Sequence, residues 1–119
     1  MLANMDTIQA TMDSVGKRHF EDYMQECFGE GIKVILVNSP VYVGATRKTK
    51  GLEAVNEYFD SIAHKYNTVY LNYTEDYAIC EDTTNFCVSV HMNPRATHRF
   101  SIDFANVLNR IIATDTLNN

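Results

Sequence analysis

Phe100-Ser101-Ile102-Asp103-Phe104-Ala105-Asn106-Val107 is the stretch on which the fold turns. Read as extended chain, it puts Phe100, Ile102, Phe104 and Asn106 on one side and Ser101, Asp103, Ala105 and Val107 on the other. That period of two predicts a strand. The segment before it repeats the pattern, with Phe86, Val88, Val90 and Met92 on one face and Cys87, Ser89 and His91 on the other. Asn93-Pro94-Arg95 separates the two as a turn. Further upstream, Val69, Leu71 and Tyr73 alternate with Tyr70, Asn72 and Thr74, and a short segment over 77–80 leads into a turn at Glu81-Asp82-Thr83-Thr84. Downstream, the chain turns around Asn109-Arg110, and residues 111–117 close the sheet.

Toward the amino terminus the period changes to that of a helix. Ile8, Met12, Val15, His19, Phe20, Tyr23, Met24, Cys27 and Phe28 recur at steps of three and four and draw one wide apolar stripe. Asp6 with Gln9 can form a capping box at its start, Gly16 allows a kink, and Gly29 and Gly31 stop it. Residues 32–43 read as extended chain, with Pro40 marking an edge, a bulge or a break. Gly51 opens a second helix running to Tyr66, with its stripe at Leu52, Val55, Tyr58, Phe59, Ile62 and Tyr66. Two helices followed by antiparallel hairpins predict one α+β domain over 1–119, with the helices packed on one face of a curved sheet.

Composition narrows the function classes. At 45% apolar and 21% charged residues, the chain can bury a core and is not expected to be disordered. A net charge of −5 argues against nucleic acid, which needs a basic face to displace phosphate counterions. The one basic cluster, Arg47-Lys48-Thr49-Lys50, reads as a solvated loop, with an anion-attracting pocket mouth as its functional alternative. No apolar run is long enough to span a bilayer, and residues 1–6 carry no secretion signal, so a cytoplasmic location is expected. Cys27, Cys80 and Cys87 are an odd count without metal-ligand spacing and read as reduced thiols. The sequon Asn72-Tyr73-Thr74 carries no meaning without secretion.

Against this background two segments resemble the nuclear-transport-factor-2-like, or SnoaL-like, superfamily. Gly51-Leu52-Glu53-Ala54-Val55-Asn56-Glu57-Tyr58-Phe59 is similar to its glycine–helix–aromatic segment, which follows an extended stretch ending in proline, as Asn38-Ser39-Pro40 does here. Phe104-Ala105-Asn106-Val107-Leu108-Asn109-Arg110-Ile111-Ile112 is similar to its last hairpin. The resemblance implies helices held in a strongly bent antiparallel sheet, a cone-shaped α+β barrel with an apolar cavity. It also implies a homodimer through the outer sheet face. Fold alone does not settle function.

The ketosteroid isomerases of that superfamily place a carboxylate base just before the proline. Ser39, preceded by Asn38, stands there in this chain, so the proton abstraction of that enzyme lacks its base. Their second acid matches Asp103, or Asn106 if turn lengths differ. With Phe100, Ile102 and Phe104 lining the cone, Asp103 points outward. His91 and Asp103 can meet diagonally across a hairpin, an arrangement that would raise the histidine pKa, although a polar outer face with Ser89 and Ser101 is the commoner explanation. On the first helix, His19 and Tyr23 are the first choices for polar groups inside the cavity, the ordinary alternative being a hydrogen-bonded wall. His19, Tyr23 and Asp103 are thus the candidate catalytic residues. Phe20, Tyr58, Phe59, Phe100 and Phe104 are the candidate ligand-binding residues. His19, His64, His91 and His98 show no metal spacing, and no cofactor is expected. Cys27 and Cys80 have no base nearby in sequence, so nucleophilic catalysis is not supported.

Two functional classes follow. The first is a binding protein for a small hydrophobic molecule, or a SnoaL-like enzyme of unassigned substrate; whether it is an enzyme at all stays open. The alternative is a non-catalytic oligomerisation or protein-interaction domain that uses its outer sheet face, as the seven tyrosines suit.

Overall fold

Asp13 starts the first long helix. Its carboxylate accepts the backbone N–H groups of Val15 (2.9 Å) and Gly16 (3.3 Å), and helix α1 runs unbroken over Ser14–Gly29. The expected cap at Asp6 lies outside residues 7–118, which the computed structural model describes. Gly29 is the last helical residue and Gly31 takes a φ of 73°, so the expected stop holds. Ile8, expected on this helix, instead lies in the short strand β1 (Ile8–Gln9).

The extended stretch after α1 contains strand β2 (Leu36–Asn38), which breaks before the fully buried Pro40. Beyond the proline the chain coils into the short helix α2 (Val43–Arg47). The basic cluster ends in strand β3 (Thr49–Lys50), which pairs in parallel with β1. Gly51, at φ 86°, then opens helix α3 (Leu52–Lys65) at the expected place, and its stripe turns inward at Ile62. Strand β4 (Tyr70–Asn72) follows and lies parallel to β2, Leu36 opposite Tyr70 and Asn38 opposite Asn72. Parallel pairing corrects the expected antiparallel meander at this point. A helix between two neighbouring strands carries the chain back to the end it started from, so the second strand must run the same way.

After a 3-10 turn at Tyr73–Glu75, the segment over 77–80 is the short helix α4 (Tyr77–Cys80), and a second 3-10 turn spans Thr83–Asn85. The alternating stretch 86–92 is a small antiparallel hairpin, β5 (Phe86–Val88) with β6 (His91–Met92). The largest correction comes next. Residues 100–107 and 111–117, expected as strands, belong to one continuous helix, α5 (Pro94–Asn118).

The local reason is Asn93-Pro94. Asn93 Oδ1 accepts the Ala96 N–H at 2.9 Å, its backbone oxygen accepts Thr97 N–H, and Pro94 fills the first helical position, where no N–H is needed. The inward side chains of α5 are then Ala96, Phe100, Phe104, Val107, Leu108 and Ile111, a helical stripe. Phe100 and Phe104 satisfy both periods, because a step of four is even and also one helical turn.

Among the described residues there are three two-stranded sheets and no closed barrel. Helix and strand are mixed, an α+β composition. Helix α5 passes Tyr73, just after β4, through Phe100 and Phe104, and reaches the stretch before β2 through an Asp115–Lys33 ion pair of 3.1 Å. Tyr70 meets Phe59 of α3, so Leu36 and Tyr70 face α3 while Val37 and Leu71 take the opposite face. Among the described residues, buried apolar positions are few: Met24, Cys27, Val43, Ala45, Ile62, Ala63, Cys80, Phe86 and Ala96. The molecule is a slab of 49 × 35 × 18 Å with a radius of gyration of 16.2 Å. A closely packed chain of this length would have about 13.5 Å.

Candidate functional site

The two ends of the parallel pair differ. At the carboxyl ends of β2 and β4, where open α/β sheets usually hold their ligands, the polar groups are partnered within the chain. Tyr70 Oη donates to Asn56 Oδ1 at 2.8 Å and accepts from Asn38 Nδ2 at 3.5 Å. Asn72 Oδ1 accepts both the backbone N–H (3.2 Å) and the hydroxyl (2.6 Å) of Thr74. Tyr42 N–H, beyond Pro40, donates to Ser89 O at 2.9 Å and ties the β5–β6 hairpin to this end.

A groove of about 340 Å³ opens at the amino ends. Met24 and Phe28 come from α1, Gly31 to Val34 lead into β2, Tyr66 to Thr68 lead into β4, and Asp115 comes from α5. Phe28 packs edge-on to Tyr66 with centroids 6.0 Å apart, yet 65% of it remains exposed, as does 57% of Ile32. The Tyr66 hydroxyl is buried and has no hydrogen-bond partner among the described residues. Lys33 Nζ reaches both Asp115 and the Asn67 carbonyl oxygen, the latter at 3.3 Å. Thr68 donates its hydroxyl to the Val34 carbonyl and holds the two lead-in segments together.

The sequence candidates disperse. His19 and Tyr23 lie on the exposed side of α1, Tyr23 being 61% exposed, while Phe20 turns inward against Phe59 (5.6 Å) and Tyr58 (6.5 Å). Tyr58 donates to Glu21 Oε2 at 3.3 Å; burial, with the Glu21 carboxylate second, pushes its phenol up from the ordinary value. Phe100 and Phe104 stack on each other and pack on Tyr73, away from the α1–α3 aromatics. Asp103 is exposed on α5, His91 is exposed on β6, and no hydrogen bond or ion pair joins them. Phe20, Tyr58 and Phe59, expected as ligand-binding residues, pack against one another between α1 and α3, while Tyr66, Lys33 and Asp115 were not among the expected site residues. Tyr66 closed the α3 stripe and so read as core; nothing in the sequence linked Lys33 to Asp115.

Among the described residues, no group of three or more His, Cys, Asp or Glu could hold a metal ion, and no helix is long and apolar enough to cross a membrane. Comparison with family models, with curated proteins and with solved structures gives no match.

Proposed function

We propose that this chain is an association domain, which completes a parallel α/β layer by adding strands to the open edges of the β2–β4 pair. The observation that carries this reading is the parallel pair itself: three residues per strand, two strands, and among the described residues no further strand on either side. Parallel sheets are ordinarily covered on both faces and extended at both edges, and an exposed edge is a template for another strand. Val37, on the face away from α3, is 41% exposed. Val15, His19 and Tyr23 follow one another at helical steps of four along α1 and present a second bare strip, with Val15 48% exposed. The partner is a strand-presenting polypeptide, and a second copy of this chain is the version tested first. The conical barrel implied by the resemblance is not carried forward, because Phe100 and Phe104 ride on a helix.

Sedimentation velocity at rising protein concentration, with hydrogen exchange on the same samples, tests the reading. A dimer should form as the backbone amides of 36–38 and 70–72 become protected. A species that stays monomeric throughout, with fast exchange at both edges, refutes self-association. If no other polypeptide then protects those edges, the association reading fails.

A further inference from the structure

We infer that the outer face of α1 is a twofold interface, on which α1 of a second copy of this chain lies antiparallel. This surface is distinct from the strand edges of the association reading, so the two stand or fall separately.

The charges of α1 select the occupant. Lys17, Arg18 and His19 lie toward its amino end, and Asp22, Glu26 and the C-cap Glu30 toward its carboxyl end. The first turn holds no acidic residue and the last turn no basic one. That order opposes the helix dipole, which favours acidic groups near the amino end and basic groups near the carboxyl end. Within the chain it is answered only in part. Lys17 sits over the Tyr58 ring at 4.8 Å, and Glu21 meets Tyr58 and Lys65. Arg18 and Asp22 are exposed, and among the described residues neither side chain has a hydrogen-bond or ion-pair partner. A second α1 laid antiparallel carries the reverse order of charge along the same line, so its acidic end comes beside the basic one.

The register follows from the helix. With the twofold axis level with residue 20, Arg18 of each copy stands level with Asp22 of the other. Both lie on one flank of the strip formed by Val15, His19 and Tyr23, and the twofold pairs that flank with itself. Val15 then comes within about 3 Å, two residues of helix rise, of the level of Tyr23 in the other copy. Val15 is 48% and Tyr23 61% exposed, so their contact supplies the apolar part of the interface. The ion pairs, individually weak at a surface, set its direction. Sixteen helical residues span about 24 Å, so the dimer should be small and concentration-dependent.

Sedimentation velocity on the full chain from about 10 µM to about 1 mM tests the inference, with Arg18→Glu, Asp22→Arg and the double variant. The parent should dimerise. Each single substitution sets like charges against each other at both pairs and should weaken the dimer about tenfold or more; the double variant should recover it to within about threefold. An equimolar mixture of the two single variants should dimerise at concentrations where neither does alone. Circular dichroism should show unchanged helix content, since both positions are exposed. A parent monomeric at about 1 mM, single variants that dimerise like the parent, or a double variant that stays monomeric overturns the inference. Should a charge variant fail to fold, Tyr23→Asp takes its place: the dimer should be lost, and an undiminished dimer overturns the inference. A dimer that survives Arg18→Glu, with 36–38 and 70–72 protected, keeps the association reading and removes this one. A dimer lost in Arg18→Glu, whose strand edges exchange as fast as in the monomer, does the reverse.

Discussion

The ring of Tyr73 stands edge-on to that of Phe100, with centroids 4.9 Å apart and planes at 84°, and this pair seats the longest helix beside the parallel strands. Phe104, stacked on Phe100 at 5.8 Å, extends the contact by one helical turn. Phe100→Ala should therefore cost about 2 kcal/mol, below the range for fully buried phenylalanines because the side chain is only partly buried. Phe100→Leu should recover about half of it. Urea unfolding curves of the three proteins measure both values. Equal stability of Phe100→Ala and the parent would show that the pair seats nothing.

Gly51 is the position least able to accept a side chain. Its φ is 86°, and a Cβ there would lie 2.6 Å from the Ala10 carbonyl oxygen and 2.8 Å from Gln9 Nε2. Gly51→Ala should lower stability by about 1–3 kcal/mol through the strained backbone, with further loss from the clash. It should also release β1, whose neighbour Ala10 donates to the Lys50 carbonyl at 2.8 Å. Faster hydrogen exchange at Ala10, with α3 still protected, is the expected local signature.

Asn93 closes the start of α5 from both sides: Oδ1 takes the Ala96 N–H, and Nδ2 donates to the Thr84 carbonyl at 2.6 Å. Asn93→Ala should cost about 1–2 kcal/mol, and Asn93→Asp, which keeps the acceptor and loses the donor, about half as much. Thermal melts followed by circular dichroism at a helix wavelength would rank the three. A stable Asn93→Ala protein would mean that Pro94 alone sets the boundary.

Asp82 supplies a pH dependence whose sign can be worked out. The Thr84 hydroxyl (2.6 Å) and backbone N–H (2.9 Å) both donate to its Oδ1 and lower its pKa from the ordinary value. A lowered folded-state pKa contributes stability above the unfolded value, near pH 4 (about 3.9 for aspartate), and that contribution disappears as pH falls through the folded value. Asp82→Asn should lose this acid-side slope and match the parent at the lowest pH. Titration of the Asp82 carboxyl carbon by NMR gives the shift directly; a midpoint at or above the ordinary value contradicts the hydrogen bonds.

Helices were legible wherever the apolar spacing and the glycines agreed. Gly51 and the stripe from Leu52 to Ile62 placed α3, and Gly29 with Gly31 placed the end of α1. The carboxyl-terminal third was not, because Phe100, Ile102 and Phe104 alternate while Phe100, Phe104, Val107 and Ile111 recur by turns. The deciding mark is short and local: asparagine followed by proline, a cap and a first helical residue, reads equally well as a turn between strands. Strand direction was equally hidden, since nothing in Leu36 to Asn38 or Tyr70 to Asn72 distinguishes a parallel from an antiparallel neighbour. Only α3 between them does so. The groove is not legible in the sequence, because Lys33 and Asp115 lie far apart along the chain and only the length of α5 brings them together.

The thiols form a graded set with a use of their own. Cys87 lies open on β5, Cys27 is buried on the inner face of α1, and Cys80 is wholly enclosed, its Sγ donating to the Tyr73 carbonyl at 3.3 Å and its pKa pushed up by burial. An alkylating reagent should therefore count three events on separate clocks. Cys87 reports reagent and solution, while Cys80 reports only the moments when the Tyr73 turn lets go. Because that same turn receives Phe100, the slowest label dates the undocking of the last helix, with no probe added to the chain.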